Sequence, residues 1–169
     1  MIAAIVAIDN NYGIGSNGDL LMHIPEDMKM FKELTTDNMV IMGRKTWDSL
    51  PVKPLSNRWN HVVTSYLEDN PDIAKDDTVF FNMQTAKIWL SEWPKDSDYN
   101  IYVIGGGMIY KELLSYCDRV YVTKILHAFD GVDTFFPNID EMSNWRMTSN
   151  SEVKEYNGIK YQFCVYDKI

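Results

Sequence analysis

At 169 residues, with 46% hydrophobic and 13% aromatic side chains, the chain has enough apolar surface for one sizeable core and is far from a disordered composition. Its formal net charge of −8 argues against nucleic acid and against a membrane surface as general partners. Its two cysteines, Cys117 and Cys164, are too few and too isolated for a disulfide framework; no Cys/His spacing points to zinc, so no metal is expected, and free thiols fit a cytoplasmic protein.

Residues 2–8 form a continuous apolar run, the pattern of a strand buried on both faces and too short for a signal peptide or a membrane span. Residues 10–24, rich in Asn and Gly, read as a long loop. Pro25 stands where a helix can begin, Glu26 and Asp27 suit its first turn, and Met28, Phe31 and Leu34 give it an apolar stripe. Residues 39–42 read as a strand, 44–50 as a short helix closed by Pro51, 60–64 and 78–81 as two more strands, and 84–92 as a helix. The acidic segment 68–77 is expected to be exposed. A strand at 100–104 leads through Gly105, Gly106 and Gly107 into a helix over 108–115. From Arg119 the signal is strand-like, at 119–126, 134–136, 146–153 and 159–167, and the Asn157-Gly158 pair predicts a tight hairpin. Alternating strands and helices followed by a strand-only tail predict an α/β fold: a mostly parallel sheet with an antiparallel C-terminal edge. Residues 1–169 read as a single domain.

Two places look suited to anions. The strand–Gly105-Gly106-Gly107–helix unit lets backbone approach a ligand at a helix N-terminus, although glycines serve a tight turn that binds nothing equally well. The second unit, Gly43-Arg44-Lys45-Thr46, sets two cations at a helix start, where the dipole disfavours them; in a cation-poor chain that placement points to a bound phosphate. Together they suggest a dinucleotide, one unit for the pyrophosphate and one for an adenosine phosphate. Gly13-Ile-Gly15-Ser-Asn-Gly18 matches the dinucleotide fingerprint GxGxxG, but no helix opens on its last glycine, so it reads as a mobile loop. Asp27 shares a helix face with Phe31. On a solvent face it would be an ordinary first-turn acid; facing a cleft, burial would raise its pKa and mark a functional group. Arg58 alone reads as a surface cation; beside a cleft it could hold a substrate carboxylate. His23, His61 and His127 are scattered, with no nucleophilic arrangement around them.

In this order, the residues resemble the chromosomal-type dihydrofolate reductases over essentially the whole chain. The resemblance is carried by the first strand with Ala7, by Ile14-Gly15, by Pro25-Glu-Asp27 with Phe31, and by Val40-Ile-Met-Gly-Arg-Lys-Thr-Trp47. It continues in Leu55 with Arg58, Ile104-Gly-Gly-Gly107 with Tyr110, Tyr121-Val-Thr123 and Asp133-Thr-Phe-Phe-Pro137. It implies a central eight-stranded sheet with four flanking helices, an adenosine-binding lobe at roughly residues 39–98, and a mobile lid at residues 9–24. It implies NADPH-dependent reduction of dihydrofolate to tetrahydrofolate, serving one-carbon and thymidylate metabolism, with hydride passing from nicotinamide C4 to pterin C6 and water delivering a proton to N5. By resemblance, Asp27 binds the pterin N3 and 2-amino group, Thr123 supports that carboxylate, and Arg58 holds the α-carboxylate of the glutamate tail. Ile5, Ala7, Leu20, Met28, Phe31, Leu50, Leu55, Ile104 and Tyr110 match pocket positions. Arg44, Thr64 and Ser65 match the 2′-phosphate pocket. Gly43, Lys45, Thr46, Gly105, Gly106, Gly107, Met108 and Ile109 match the pyrophosphate cradle, and Ala7, Ile14 and Gly15 the nicotinamide contacts.

Two departures stand out. Leu21-Met22 replaces the family's usual Pro-Trp. That tryptophan helps to hold an ordered water near the pterin, and Met22 has no hydrogen bond to donate, so substrate affinity and the response to diaminopyrimidine antifolates such as trimethoprim are expected to differ. Met108 stands where many relatives carry a cation, and Lys45 is expected to compensate. The nearest alternative is a related NADPH-dependent reductase of another pteridine or of riboflavin synthesis; Asp27 together with Arg58 favours a folate. A binding module that has lost catalysis would bind NADPH without oxidising it. A monomer is expected.

Overall fold

The computed structural model describes residues 1–66 and 77–169, so the acidic segment 68–77 lies, apart from Asp77, outside the described residues. The main sheet is built from β1 (Ile2–Ile8), β4 (Met39–Gly43), β5 (Trp59–Val63), β6 (Thr78–Phe81), β7 (Ile101–Val103), β8 (Arg119–Ile125), β10 (Trp145–Asn150) and β12 (Ile159–Lys168). Its order is β10-β12-β8-β1-β7-β4-β5-β6, with the short β11 (Lys154–Tyr156) added beside β12. Every pair from β8 across to β6 is parallel, and β12 runs antiparallel to β8, β10 and β11, which gives the antiparallel C-terminal edge. Among the described residues four α-helices accompany it: α1 (Pro25–Thr35), α2 (Arg44–Ser49), α3 (Met83–Ser91) and α4 (Gly107–Leu113), the last followed by a 3-10 turn at Leu114–Tyr116.

The apolar runs make strands covered on both faces. Val40, Ile41 and Met42 are consecutive and all 0% exposed, which a strand achieves only when each face of the sheet is packed. Ile41 joins Val103, Leu113, Val120, Val122 and Tyr166 on one face. Val40 and Met42 join Ala3, Ile5, Val62 and Tyr102 on the other, with Phe31, Leu34, Trp47, Leu50, Leu55 and Ile104 packed against them. Of the stripe expected on α1, Phe31 and Leu34 face this cluster, whereas Met28 is 46% exposed. The helix needs no side-chain cap at Ile24, because Pro25 occupies a position whose N–H would go unused. Asn157 and Gly158 both have positive φ and close the β11–β12 hairpin, as an Asn-Gly pair in a type I′ turn should.

Two segments differ from the sequence reading. The stretch 10–24 is not loop throughout: β2 (Gly13–Ser16) pairs with β3 (Asp19–Leu20) and with β9 (Thr134–Phe135) in a small separate sheet. The β2–β3 hairpin closes on Asn17-Gly18, both at positive φ, the same Asn-Gly signal as at 157–158, whereas β9 lies far along the chain and no local pattern announces it. The single strand expected at 146–153 ends at Asn150 after a bulge between Met147 and Ser149, and after a break at residues 151–153 the chain runs on in the same direction along β12 as β11. Among the described residues no helix is long and apolar enough to cross a membrane.

Candidate active site

Parallel pairing brings the carboxyl ends of β1, β4, β5 and β7 to one edge of the sheet, where ligands of open α/β folds bind. There the two strand–turn–helix units meet. The Gly43 amide donates to the Gly105 carbonyl at 2.8 Å, and the Ile104 amide to that of Ile41 at 3.0 Å. A Cβ on Gly106 would stand 3.5 Å from the Thr46 hydroxyl. Gly105 has a φ of +123°, which L side chains rarely adopt, and its peptide bond to Gly106 is cis. Gly43 and Gly106 are the N-caps of α2 and α4 and carry no side-chain acceptor, leaving first-turn amides uncovered by capping groups. A Cβ on Gly43 would lie 2.8 Å from Cγ1 of the buried Ile109, so Gly43→Ala is expected to cost about 1–3 kcal/mol of stability, read by denaturant unfolding. No measurable loss would show that α4 can shift away from β4.

Arg44 opens α2 with its guanidinium 6.0 Å from the Phe80 ring and Nε donating to Asp48 at 3.0 Å. Thr64 continues β5 beside it and is buried, its hydroxyl accepting the Tyr66 amide at 3.1 Å, while Ser65 is exposed. Lys45 is exposed and Met108 is 75% exposed.

The acid on α1 faces inward. Burial raises the Asp27 pKa, and the opposing contribution is a hydrogen bond from Thr123 Oγ1 at 2.5 Å. Thr123 is 1% exposed and pairs in the sheet with Ala7 of β1, so the carboxylate sits beside the end of the first strand. One turn along α1, Phe31 shares a cluster with Ile5, Leu50, Leu55 and Ile104, the apolar positions picked out from the sequence. Arg58 lies beyond it, 5.9 Å from the Phe31 ring. It is not a surface cation: it is 9% exposed, Nε donates to Thr35 Oγ1 at 2.8 Å and Nη1 to the Ser56 carbonyl at 3.0 Å, and burial lowers its pKa. No carboxylate among the described residues forms an ion pair with it. Tyr110 is anchored from the opposite face, its buried hydroxyl donating to the Ile5 carbonyl at 2.6 Å. Leu20 and Met28 are half-exposed. Met22 packs against Ile24, Ile125 and Tyr161. Ile14, 8% exposed, enters the core from β2, next to Gly15.

Sequence reading gave no role at the site to three residues whose contacts brace it. Thr35, at the end of α1 and 0% exposed, fixes the Arg58 guanidinium. Glu26 accepts from the Tyr161 hydroxyl at 2.7 Å and pairs with Lys154 at 3.0 Å, fastening the start of α1 to the β11–β12 hairpin. Asp9, 3% exposed, accepts the amides of Asn11, Gly13 and Phe129. Only the polarity of Asp9 directly after an apolar strand gave a local hint.

The dihydrofolate reductase family model matches residues 1–168. The dihydrofolate reductase of Bacillus subtilis strain 168 is 39% identical over 170 residues, covering 99% of this chain and 95% of that protein. That of Sus scrofa is 38% identical over 183 residues, covering 97% and 96%. A solved structure of the Enterococcus faecalis dihydrofolate reductase, complexed with NADP(H) and RAB-propyl, superposes with a TM-score of 0.81 at 34% identity, covering 99% of this chain and 96% of that one.

Proposed function

The chain belongs to the dihydrofolate reductase family, and from that premise we propose how its own residues serve the reaction. It is an oxidoreductase that reduces dihydrofolate to tetrahydrofolate with NADPH. The observation that carries the assignment of roles is a partly buried carboxyl group and a buried guanidinium on either side of Phe31. Asp27 lies one helical turn before the ring, and the Arg58 guanidinium lies against it. A ligand with hydrogen-bond donors at one end and a carboxylate at the other matches that pair, and a pterin bearing a glutamate tail is such a ligand.

Asp27 accepts from the pterin N3 and 2-amino group, and Thr123, donating to one oxygen, leaves the other free to do so. Arg58, with two of its donors already held by Thr35 and Ser56, offers the rest of its fork to the tail carboxylate. Ile5, Leu20, Met28, Phe31, Leu50, Leu55, Ile104 and Tyr110 enclose the ring and exclude water from it. Antifolates compete for the same pocket, and Met22, which cannot donate a hydrogen bond, changes how ordered water is held there.

The residues present fit the cofactor. At Gly106 a Cβ would meet only the Thr46 hydroxyl, at 3.5 Å, so backbone between the two helix starts is open to a ligand there, while Gly43 and Gly107 are needed for close packing, their Cβ positions lying 2.8 Å from Ile109 and 2.7 Å from Thr134. Arg44, Thr64 and Ser65 receive the 2′-phosphate, Lys45 with Met108 and Ile109 borders the pyrophosphate, and Ala7, Ile14 and Gly15 meet the nicotinamide end. When bound, NADPH supplies the hydride; the protein supplies orientation and a dry, polar-edged cleft. The adenosine half falls to residues 39–98, with β4, β5 and α2. We also read the enzyme as a cytoplasmic monomer, consistent with its free, buried Cys117 and Cys164.

The decisive assay is loss of NADPH absorbance on adding dihydrofolate. Arg44→Leu is expected to raise the KM for NADPH roughly ten- to a hundredfold and to leave that for NADH nearly unchanged, because only NADPH carries the extra phosphate. Equal loss for both cofactors would remove Arg44 from the 2′-phosphate site.

A further inference from the structure

We propose that Tyr12, held by Asp140, is a positioning residue that fixes the backbone of residues 13–15 for the nicotinamide end of the cofactor. The proposal rests on the functional reading above, in which Ile14 and Gly15 meet that end.

The first observation is conformational. Tyr12 has a φ of 63°. Left-handed backbone is cheap for glycine and tolerable for asparagine, but unfavourable for a bulky side chain. A simple turn here would be better made by either of those residues, so the aromatic side chain is doing something the turn does not require.

The second observation is what that side chain reaches. The Tyr12 hydroxyl donates to the Asp140 carboxylate, in the 3-10 turn Ile139–Glu141. The same carboxylate accepts from the Tyr166 hydroxyl at 2.5 Å and from Lys124 Nζ at 3.0 Å, so strands β12 and β8 both hold it in place. Ile139 beside it is 0% exposed and Tyr166 is 2% exposed. Burial pushes the Tyr12 phenol up, and although burial also acts on Asp140, the hydrogen bonds from Tyr12, Tyr166 and Lys124 bring its carboxyl below the ordinary value. At neutral pH the pair is therefore a neutral phenol donating to a carboxylate.

The third observation is what the anchor governs. The Tyr12 amide donates to the Asp9 carbonyl at 3.1 Å, and its carbonyl accepts the Phe136 amide at 2.8 Å. Both backbone groups are thus fixed immediately before Gly13. There is no slack at the next residue, where a Cβ would stand 2.6 Å from Val132 Cγ1. Gly13 and Gly15 then pair with Phe135 and Thr134. Beyond the Gly15 carbonyl, which accepts the Asp133 amide at 3.1 Å, the hydrogen bonds that tie the β2–β3 hairpin to the rest of the fold among the described residues are exposed ones, Ser16 to the Gly131 carbonyl at 2.7 Å and the Asn17 amide to Asp133 at 2.9 Å. Exposed contacts open readily, whereas those rooted in the core do not. The loop therefore has a fixed base, set by Tyr12, and a releasable tip.

The test compares NADPH with 2′-phosphoadenosine 5′-diphosphate, which has the adenosine half and no nicotinamide. Tyr12→Phe should raise the Kd of NADPH roughly tenfold and leave that of the fragment within about twofold, with little change in Tm. Asp140→Ala, which removes the acceptor, should weaken NADPH in the same selective way and, because Tyr166 and Lys124 lose it too, also lower the Tm; the double variant should bind NADPH no more weakly than Asp140→Ala alone. Equal weakening of both ligands, an unchanged NADPH Kd, or additive effects would overturn the proposal. A wild-type chain that binds the fragment but does not oxidise NADPH with dihydrofolate would instead overturn the functional reading beneath it.

Discussion

Asp27→Asn is expected to lower dihydrofolate turnover at pH 7 by about a hundredfold or more while leaving NADPH affinity nearly unchanged. Asparagine keeps the shape and still accepts the Thr123 hydrogen bond, so the pocket persists. What is lost is the negative charge that holds the pterin N3 and 2-amino group and favours the protonated pterin. The deficit should narrow toward acid pH, where water protonates N5 without that help. The same change should stabilise the fold. Burial raises the pKa of Asp27 above its value in the unfolded chain, about 3.9, so the folded state binds this proton more tightly than the unfolded state does. Stability of the wild-type protein therefore falls as pH rises from the unfolded value through the folded one. The variant has no such term, and its Tm should exceed that of wild type near neutral pH and converge with it in acid. Near-normal turnover at pH 7 would sink the role of Asp27; a Tm lowered at every pH would sink the account of its burial.

The second large effect falls on the other charge. Arg58→Leu should raise the KM for dihydrofolate roughly a hundredfold with kcat at saturation much less affected, since a buried charged hydrogen-bond partner is worth about 2–5 kcal/mol on truncation. The KM for NADPH should stay put. A dihydropterin without a glutamate tail should be reduced equally well by both proteins, because the guanidinium would have nothing to hold. Loss of stability should be slight: among the described residues the cation's hydrogen-bond partners are a hydroxyl and a carbonyl, so leucine removes a desolvated charge without orphaning an acid and still packs on Phe31. If the tail-less substrate suffered as much as dihydrofolate, Arg58 would be shaping the pocket rather than gripping the tail.

The signals that could be read along the chain were local ones. The apolar run of β1, the Pro25 start of α1, the glycine turn before α4 and the Asn157-Gly158 hairpin all depend on neighbours a few residues away, and each lies where its pattern placed it. The gathering of Ile5, Phe31, Leu50, Leu55 and Ile104 on one face came through resemblance rather than periodicity. What could not be read depended on partners distant in the sequence. The β2–β9 ladder needs Thr134 and Phe135, and the burial of Arg58 needs Thr35, whereas the β2–β3 hairpin carried a local Asn17-Gly18 signal that went unread. Whether Asp27 faced solvent or protein could not be settled from α1 alone, because Thr123 on β8 settles it. Tyr12 looked like any loop residue until Asp140 was placed beneath its hydroxyl.

The position of β12 has a consequence for how such a chain comes to be folded. The first strand lies in the middle of the sheet between β7 and β8, and β12 is inserted between β8 and β10. A nascent chain leaving the ribosome therefore carries β1 with both edges open until Ile101–Val103 and then Arg119–Ile125 emerge, and β8 keeps a bare edge until residues 159–168 follow. Pairings so distant in sequence form slowly, and unpaired apolar strands are the surfaces on which neighbouring chains misassemble. Chaperone demand during synthesis should accordingly be set by the last ten-residue strand, and shortening the chain there should harm yield far more than removing an equal length of exposed loop.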